Sequence, residues 1–231
     1  MTHQHVWILA VSRMDAGFCV AGVSEDFSRW IRPTRESGQI SGSDLQDVRS
    51  RPVQPLDLVS FDLLHNAPNA PHSEDWIANP GSRPVVVRRP SEDQRKAVLE
   101  RAAESSPAPV LAKTTRSLIL VEPDEVDSLV FDPDAFGKYK VRLSFSLAGK
   151  PYRGEAATPG YPCTDLKLRN WGRRFRSRRE LDAMSIRKLM GVERVFLVLG
   201  LARKFNNNYW PMIVGFHTLP DYPGVIDLSN P

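Results

Sequence analysis

The residues able to do chemistry are few and grouped. His72, Glu74 and Asp75 stand together in HSEDW, with His65 upstream, and imidazoles beside carboxylates are the donors that hold divalent metals. Their spacing fits neither the helical His-Glu-x-x-His arrangement nor a zinc knuckle, and Glu-Asp in a proline-rich loop commonly fixes turns. Cys163, Thr164 and Asp165 in GYPCTDLKLRNWG place a thiol beside a carboxylate, a nucleophile arrangement that still needs a base. The second half offers only His217, in the strand-like GFHTL, where a structural histidine fits better. Glu74, Asp75 and Asp165 could together serve a metal-dependent nuclease, the third of three functional readings. No P-loop, dinucleotide fingerprint, nucleophile elbow or zinc-deaminase pattern occurs. The expectation is a chain that is not an enzyme, with no catalytic residue, metal or cofactor.

Cationic and aromatic side chains carry more information. The whole chain has a net charge of only +4, but residues 138–204 hold 17 basic and 5 acidic residues, a net +12, leaving −8 for the rest. A positive field confined to one region is what phosphate binding requires. Its densest part, KLRNWGRRFRSRR (167–179), has seven basic residues, no acid, and interleaved Trp171 and Phe175. Lys167, Arg169, Arg173, Arg174 and Arg176 are the expected phosphate contacts, with Trp171 stacking on bases. In WIRP, Trp30 and Arg32 are two residues apart and share one face of a strand, where a ring and a guanidinium can grip a base and its phosphate. Lys204 and Tyr209 flank the polar turn NNN, a further candidate binding loop. The leading reading is a nucleic-acid-binding module for single-stranded DNA or RNA. The alternative is a protein-interaction adaptor whose basic segment docks on an acidic partner.

These residues need elements to position them. The 231 residues are 41% hydrophobic and 25% charged, so the chain is not disordered, and no apolar run approaches the roughly 20 residues of a membrane-spanning helix. The start lacks a basic segment before its apolar run and reads poorly as a signal peptide, so a cytoplasmic protein without membrane contact is expected, its two distant cysteines, Cys19 and Cys163, unpaired. Nineteen prolines favour many short strands. Apolar, β-branched or alternating runs predict strands at 6–13, 18–24, 30–34, 55–64 and 84–89, then at 116–123, 138–149, 194–203 and 209–219. Residues 35–54 read as a long connection with one helical turn around Leu45, and 65–84 as irregular. Helices are expected at 90–106, capped by Ser91, and at 177–190, stopped by Gly191. Ser and Pro at 105–110 mark a candidate linker.

Two successive units of four or five strands plus a helix predict a mainly β (α+β) chain of two tandem small barrels of the OB type, residues 1–109 and 110–231, the second carrying the basic segment. An SH3-like barrel pair satisfies the same strand count.

With these motifs in order, the chain resembles the dual OB-containing domain family of bacterial proteins. The likeness lies in the opening strand ending in Ser12-Arg13, the hairpin to Cys19 and Gly22, and WIRP at 30–33. It continues through the His72-x-Glu74-Asp75 loop, Thr164-Asp165, and YWPMIVG at 209–215. The resemblance covers nearly the full length. It implies two tandem OB folds and nucleic-acid binding, often beside genes of prokaryotic defence systems, without an established catalytic activity.

Overall fold

The computed structural model describes residues 2–14, 17–133, 139–155 and 158–228. Strands β1 (Thr2–Arg13), β2 (Phe18–Ser24), β3 (Trp30–Thr34), β4 (Leu58–Asn66) and β5 (Asp75–Ala78) close into a barrel in the order β1-β2-β3-β5-β4-β1, and β6 (Val85–Arg88) extends it beyond β4. All barrel pairings are antiparallel except β3 with β5, which runs parallel and sets Arg32 beside Asp75 and Pro33 beside Trp76. That is a five-stranded Greek-key barrel of OB type, as expected for the first unit. Val6, Ile8, Val11, Val20, Ile31, Val59, Phe61 and Leu63 fill its interior. A bulge between Ile8 and Ala10 shifts the β1 register by one, so Leu9 and Ala10 both face outward before Val11 returns inside. The β3–β4 connection contains a single 3₁₀ turn, Ser43–Leu45, which inserts Leu45 into the barrel core, and so the expected turn around Leu45 is present.

Helix α1 (Glu92–Ala102) follows, shorter than expected because Ala103 and Glu104 leave it to pair with Leu120 and Val121; the expected Ser91 cap is a capping box in which the Ser91 hydroxyl accepts from the Gln94 amide at 3.4 Å and the Gln94 side chain accepts from the Ser91 amide at 3.1 Å. The central sheet has the order β17 (Pro211–Leu219), β16 (Arg194–Leu201), β8 (Leu118–Val121), β7 (Ala103–Glu104). Its strands read as unbroken apolar runs because both faces are covered. Leu118, Leu120, Phe196, Val198 and Val214 meet the outside of the barrel at Trp7, Leu9, Ala21 and Val23. Ile119, Val121, Leu197, Leu199 and Ile213 meet an outer sheet.

In that outer sheet β11 (Lys150–Tyr152), β10 (Tyr139–Leu147), β9 (Glu125–Pro133) and β15 (Arg179–Asp182) lie side by side, with β14 (Tyr161–Pro162) on β10; β12 (Gly154–Glu155) and β13 (Thr158–Pro159) form a separate ribbon. The alternation expected on β10 holds: Val141, Leu143, Phe145 and Leu147 enter the core, while Arg142 turns outward and donates to the Pro159 and Gly160 carbonyls. Lys138, the first residue of that expected strand, lies outside the described residues. Cys163 bridges from β14 to Ile213 on β17, joining the outer and central sheets at one edge. The second half is thus two facing sheets, whose pairings do not close a second barrel among the described residues.

Several expectations need correction. Residues 65–84 are not wholly irregular, since β5 lies within them, held by parallel pairing to β3. The helix expected at 177–190 is split: Arg179–Asp182 pairs with β9, and Asp182 caps α4 (Ala183–Met190), which Gly191 ends at φ 68°. The 105–110 segment is no open linker, because α2 (Ala108–Leu111) puts Val110 into the core of the second half. Strand β9 and helix α3 (Leu166–Gly172) were not anticipated. The division at 109/110 falls between β7 and β8, which pair in one sheet. No helix among the described residues is long and apolar enough to cross a membrane.

Candidate nucleic-acid interface

An OB barrel usually offers its ligand the outer side of strands 2 and 3. Here the central sheet covers much of that side, with Ala21 and Val23 packed into an apolar interface. Leu9 marks how tight it is: its carbonyl accepts from His217 Nε2 at 2.7 Å, and a Cβ on Gly215 would lie 2.2 Å from the same oxygen. Past the end of β2 a groove of about 520 Å³ runs between β3, β5 and the α1–β7 segment.

Phe27, Trp30 and Trp76 line that groove, together with Arg29, Arg101 and Arg116. The parallel β3–β5 register places the two tryptophans on neighbouring strands. Two guanidinium groups already stack on the rings: Arg29 lies 5.1 Å from the Trp76 centroid and Arg101 4.4 Å from Phe27. Both are held by neutral acceptors, Arg29 by the Gln4 side chain at 2.8 Å and Arg101 by the Asp26 carbonyl at 3.2 Å, so their charge is not cancelled. Arg116 pairs with Glu104. Rings with uncancelled cations beside them suit bases and phosphates together.

Behind the groove lies a charge cluster. Arg32, 6% exposed, donates to Asp75 at 2.6 Å and to Ser117 at 3.3 Å, and its other nitrogen lies 3.3 Å from Glu74. Ser117 donates to Glu74, and Arg203 donates to the second Asp75 oxygen at 2.8 Å. Arg32 therefore cannot take a phosphate as expected from WIRP, since its guanidinium is buried and ion-paired with Asp75 and Glu74. Ser117 and Arg203 belong to the second half, so the cluster fastens the barrel to the central sheet. His72 is buried beside it, edge-on to Tyr209 at 5.7 Å, and burial with the Arg32 and Arg203 charges pushes its pKa down to about 4.

The family model of the dual OB-containing domain matches residues 4–216. The chain belongs to that family. No curated protein and no solved structure matches it significantly. In this dual OB-containing domain the motif residues of WIRP and His-x-Glu-Asp meet in one place, because the parallel strand pair brings Arg32 to Asp75.

The basic segment of the domain splits into an inward and an outward part. Lys167 is 5% exposed, paired with Asp221 at 2.8 Å and set 4.3 Å over the Tyr222 ring, which removes it as a phosphate contact. Trp171, 3% exposed, packs on Phe131, Phe175 and Tyr222, so its ring cannot stack on a base; Phe175 sits in the same aromatic cluster. Helix formation decides this: Asp165 caps α3 by accepting from Leu168, and the apolar side Leu166, Leu168, Trp171 turns inward. Arg174 lies over the outer face of Trp171 at 4.3 Å, and Arg174 and Arg176 are exposed. Arg169 and Arg173 are half-buried on α3. Trp30 is far from these along the chain and lies in the groove. Lys204 is exposed on the β16–β17 connection, whereas the Tyr209 hydroxyl donates to the Ala70 carbonyl at 3.1 Å and belongs to the seam between the halves.

The alternative chemistries find no geometry. Among the described residues no three His, Cys, Asp or Glu side chains gather as a metal site. Asp165 is buried in α3's cap, accepting from Leu168 and Phe216, and burial pushes its pKa up to about 7. Cys163 is buried, which raises its thiol pKa, the wrong direction for a nucleophile. Sequence reasoning missed Phe27, Arg29, Trp76, Arg101 and Arg116. A usable signal was present, since Arg29 and Trp76 directly flank the two charged motifs.

Proposed function

We propose that this chain is a non-catalytic module that holds single-stranded nucleic acid in the groove between β3, β5 and α1. The observation that supports the reading best is the groove itself: three rings and three arginines gathered at the rim of the barrel, Phe27 and Trp30 packed on its outer side and Trp76 on its interior. Bases stack on Trp30 and Trp76, and phosphates follow Arg29 and Arg101. The exposed Arg174 and Arg176, which follow α3 at the far end of β1, lie outside this groove. Rings have π-faces for every base, so recognition is tolerant of sequence.

The test is fluorescence anisotropy with labelled single-stranded DNA and RNA at several salt concentrations. The Trp30→Ala and Trp76→Ala variants should each lose about tenfold in affinity, within the range of stacking energies per base. Absence of binding at low salt, or equal binding by the double variant, refutes the proposal.

A further inference from the structure

Strand β6 leaves one edge unpaired. It meets β4 through Arg88 opposite Leu58, Val86 opposite Val59 and Val85 opposite Ser60, and no strand lies on its other side among the described residues. Main-chain amides and carbonyls along that edge therefore have no ladder partner. Three β-branched residues in a row favour extended backbone here, and Val86 packs against the barrel core. Val85 and Val87, on either side of it, are 42% and 47% exposed. An unpaired edge with exposed apolar side chains is the geometry by which a sheet accepts an added strand.

The charges around the strand decide among occupants. Residues 80–91, PGSRPVVVRRPS, hold three arginines and no acid. Arg83 and Arg88 are exposed and have neither an ion pair nor a hydrogen bond among the described residues, and Arg89 reaches Asp57 only at 3.7 Å. A second copy paired antiparallel about Val86 would set Arg83 of each chain against Arg89 of the other, and a parallel pairing in register would set each arginine beside itself. Like charges opposite one another are unfavourable, so self-pairing is disfavoured. Nucleic acid would find cations but no ring to stack on, since valine has no π-face. An acidic extended segment satisfies the edge, the valines and the arginines together. Pro84 and Pro90 flank the strand and confine it, so the edge suits a short added segment and does not template a long sheet.

We propose that the free edge of β6 is a docking site for an acidic, extended protein segment that adds to the barrel as a strand. Its β-branched residues lie along Val85 and Val87, and its Asp or Glu side chains meet Arg83 and Arg88. Main-chain pairing supplies affinity, and the arginines choose the partner. The site shares no residue with the groove at β3, β5 and α1, so it stands whether or not nucleic acid binds there.

The test uses the full chain and two end-blocked peptides, each with three β-branched residues between paired charges, glutamate in one and lysine in the other. Anisotropy of the labelled peptides measures binding, and hydrogen exchange of the β6 amides measures main-chain pairing. The glutamate peptide should bind and, at about ten times its Kd, slow exchange at the free edge about tenfold by mass action. The lysine peptide should bind at least about tenfold more weakly, and the double variant Arg83→Glu, Arg88→Glu should reverse that preference. If the double variant fails to fold by circular dichroism, the two peptides on the native chain decide. Absence of binding up to millimolar glutamate peptide, or undiminished binding when its central residue is proline, overturns strand addition. A dimer in sedimentation that Val87→Lys disperses overturns the acidic partner in favour of a second copy. Oligonucleotide binding that falls in the double variant, with no peptide binding to the native chain, assigns the arginines to nucleic acid and overturns the site as well.

Discussion

Replacing Arg32 by Met separates a structural role from a ligand-binding one. In the folded chain Arg32 contacts Asp75 at 2.6 Å, Glu74 at 3.3 Å and Ser117 at 3.3 Å, and none of the three charged side chains is more than 7% exposed. Removing the guanidinium leaves two buried carboxylates with one cation, Arg203, which reaches only Asp75. Glu74 then keeps Ser117 as its hydrogen-bond donor and has no counter-charge. Breaking a buried ion pair from one side costs about 3–5 kcal/mol. In a chain of 231 residues each kcal/mol shifts the melting temperature by about 2–4 °C, so Arg32→Met should melt roughly 6–20 °C lower. Scanning calorimetry at pH 7.5 measures this directly. The double variant Arg32→Met, Glu74→Met removes the stranded charge and should recover a large part of the loss, because apolar replacements of buried pairs are often neutral. A single variant within about 2 °C of the native chain refutes the reasoning. It would refute it most sharply if oligonucleotide affinity fell at the same time, as WIRP read alone would suggest.

Three further outcomes follow from the same geometry. Converting Arg29 and Arg101 to Gln should flatten the plot of log affinity against log salt by about 1.4, roughly 0.7 per lost phosphate contact on a single strand; an unchanged slope places the phosphates elsewhere. Gly215→Ala should destabilise strongly or prevent folding, since its Cβ would lie 2.2 Å from the Leu9 carbonyl and 2.8 Å from a Val198 methyl; native-like thermal unfolding contradicts the tight β1–β17 approach. His217 is buried with its pKa pushed down to about 4 by burial, so the unfolded chain, near 6.5, takes its proton first as pH falls. It therefore contributes a loss of stability that begins below pH 6.5 and amounts to about 2 kcal/mol at pH 5. Asp165 works with the opposite sign, its folded pKa of about 7 lying above the unfolded value, so acid between pH 7 and 4 favours its folded form. The clean readout is therefore a difference: His217→Gln should be less acid-sensitive than the native chain between pH 7 and 5, and parallel curves for the two refute the assignment.

The elements that were legible in the sequence are those whose pattern reflects one local rule. β10 alternates because one face is core, α1 has a serine cap, and α4 ends at a glycine. What was not legible depends on partners distant in the chain. β5 lies in a Pro- and Asn-rich stretch and exists because β3, some 40 residues earlier, pairs with it in parallel. β9 has the apolar spacing Val126, Leu129, Phe131, irregular enough to hide a strand that nonetheless pairs on both sides. Trp30, which lines the groove, was legible as a candidate because a ring beside a charge motif needs no partner to be noticed. The groove around it was not, because Arg101 and Arg116 arrive from helix α1 and from the start of β8's approach, far along the chain.

Charge density along the sequence misleads for a related physical reason. A run of seven basic residues can form a polyanion surface only if they remain on the surface, and α3 follows its own amphipathic demand first. Three apolar side chains, Leu168, Trp171 and Phe175, are drawn toward Phe131 and the outer sheet, and Leu166 enters the barrel core. That rotation carries Lys167 inward to Asp221, half-buries Arg169 and Arg173, and leaves Arg174 and Arg176 outside. Identical guanidinium groups thereby acquire different tasks. Arg32 fixes the two halves because carboxylates face it, whereas Arg29 and Arg101 keep usable charge because neutral acceptors hold them. The number of acceptors each side chain meets after folding, more than its position in a basic stretch, therefore decides which arginines can bind a phosphate.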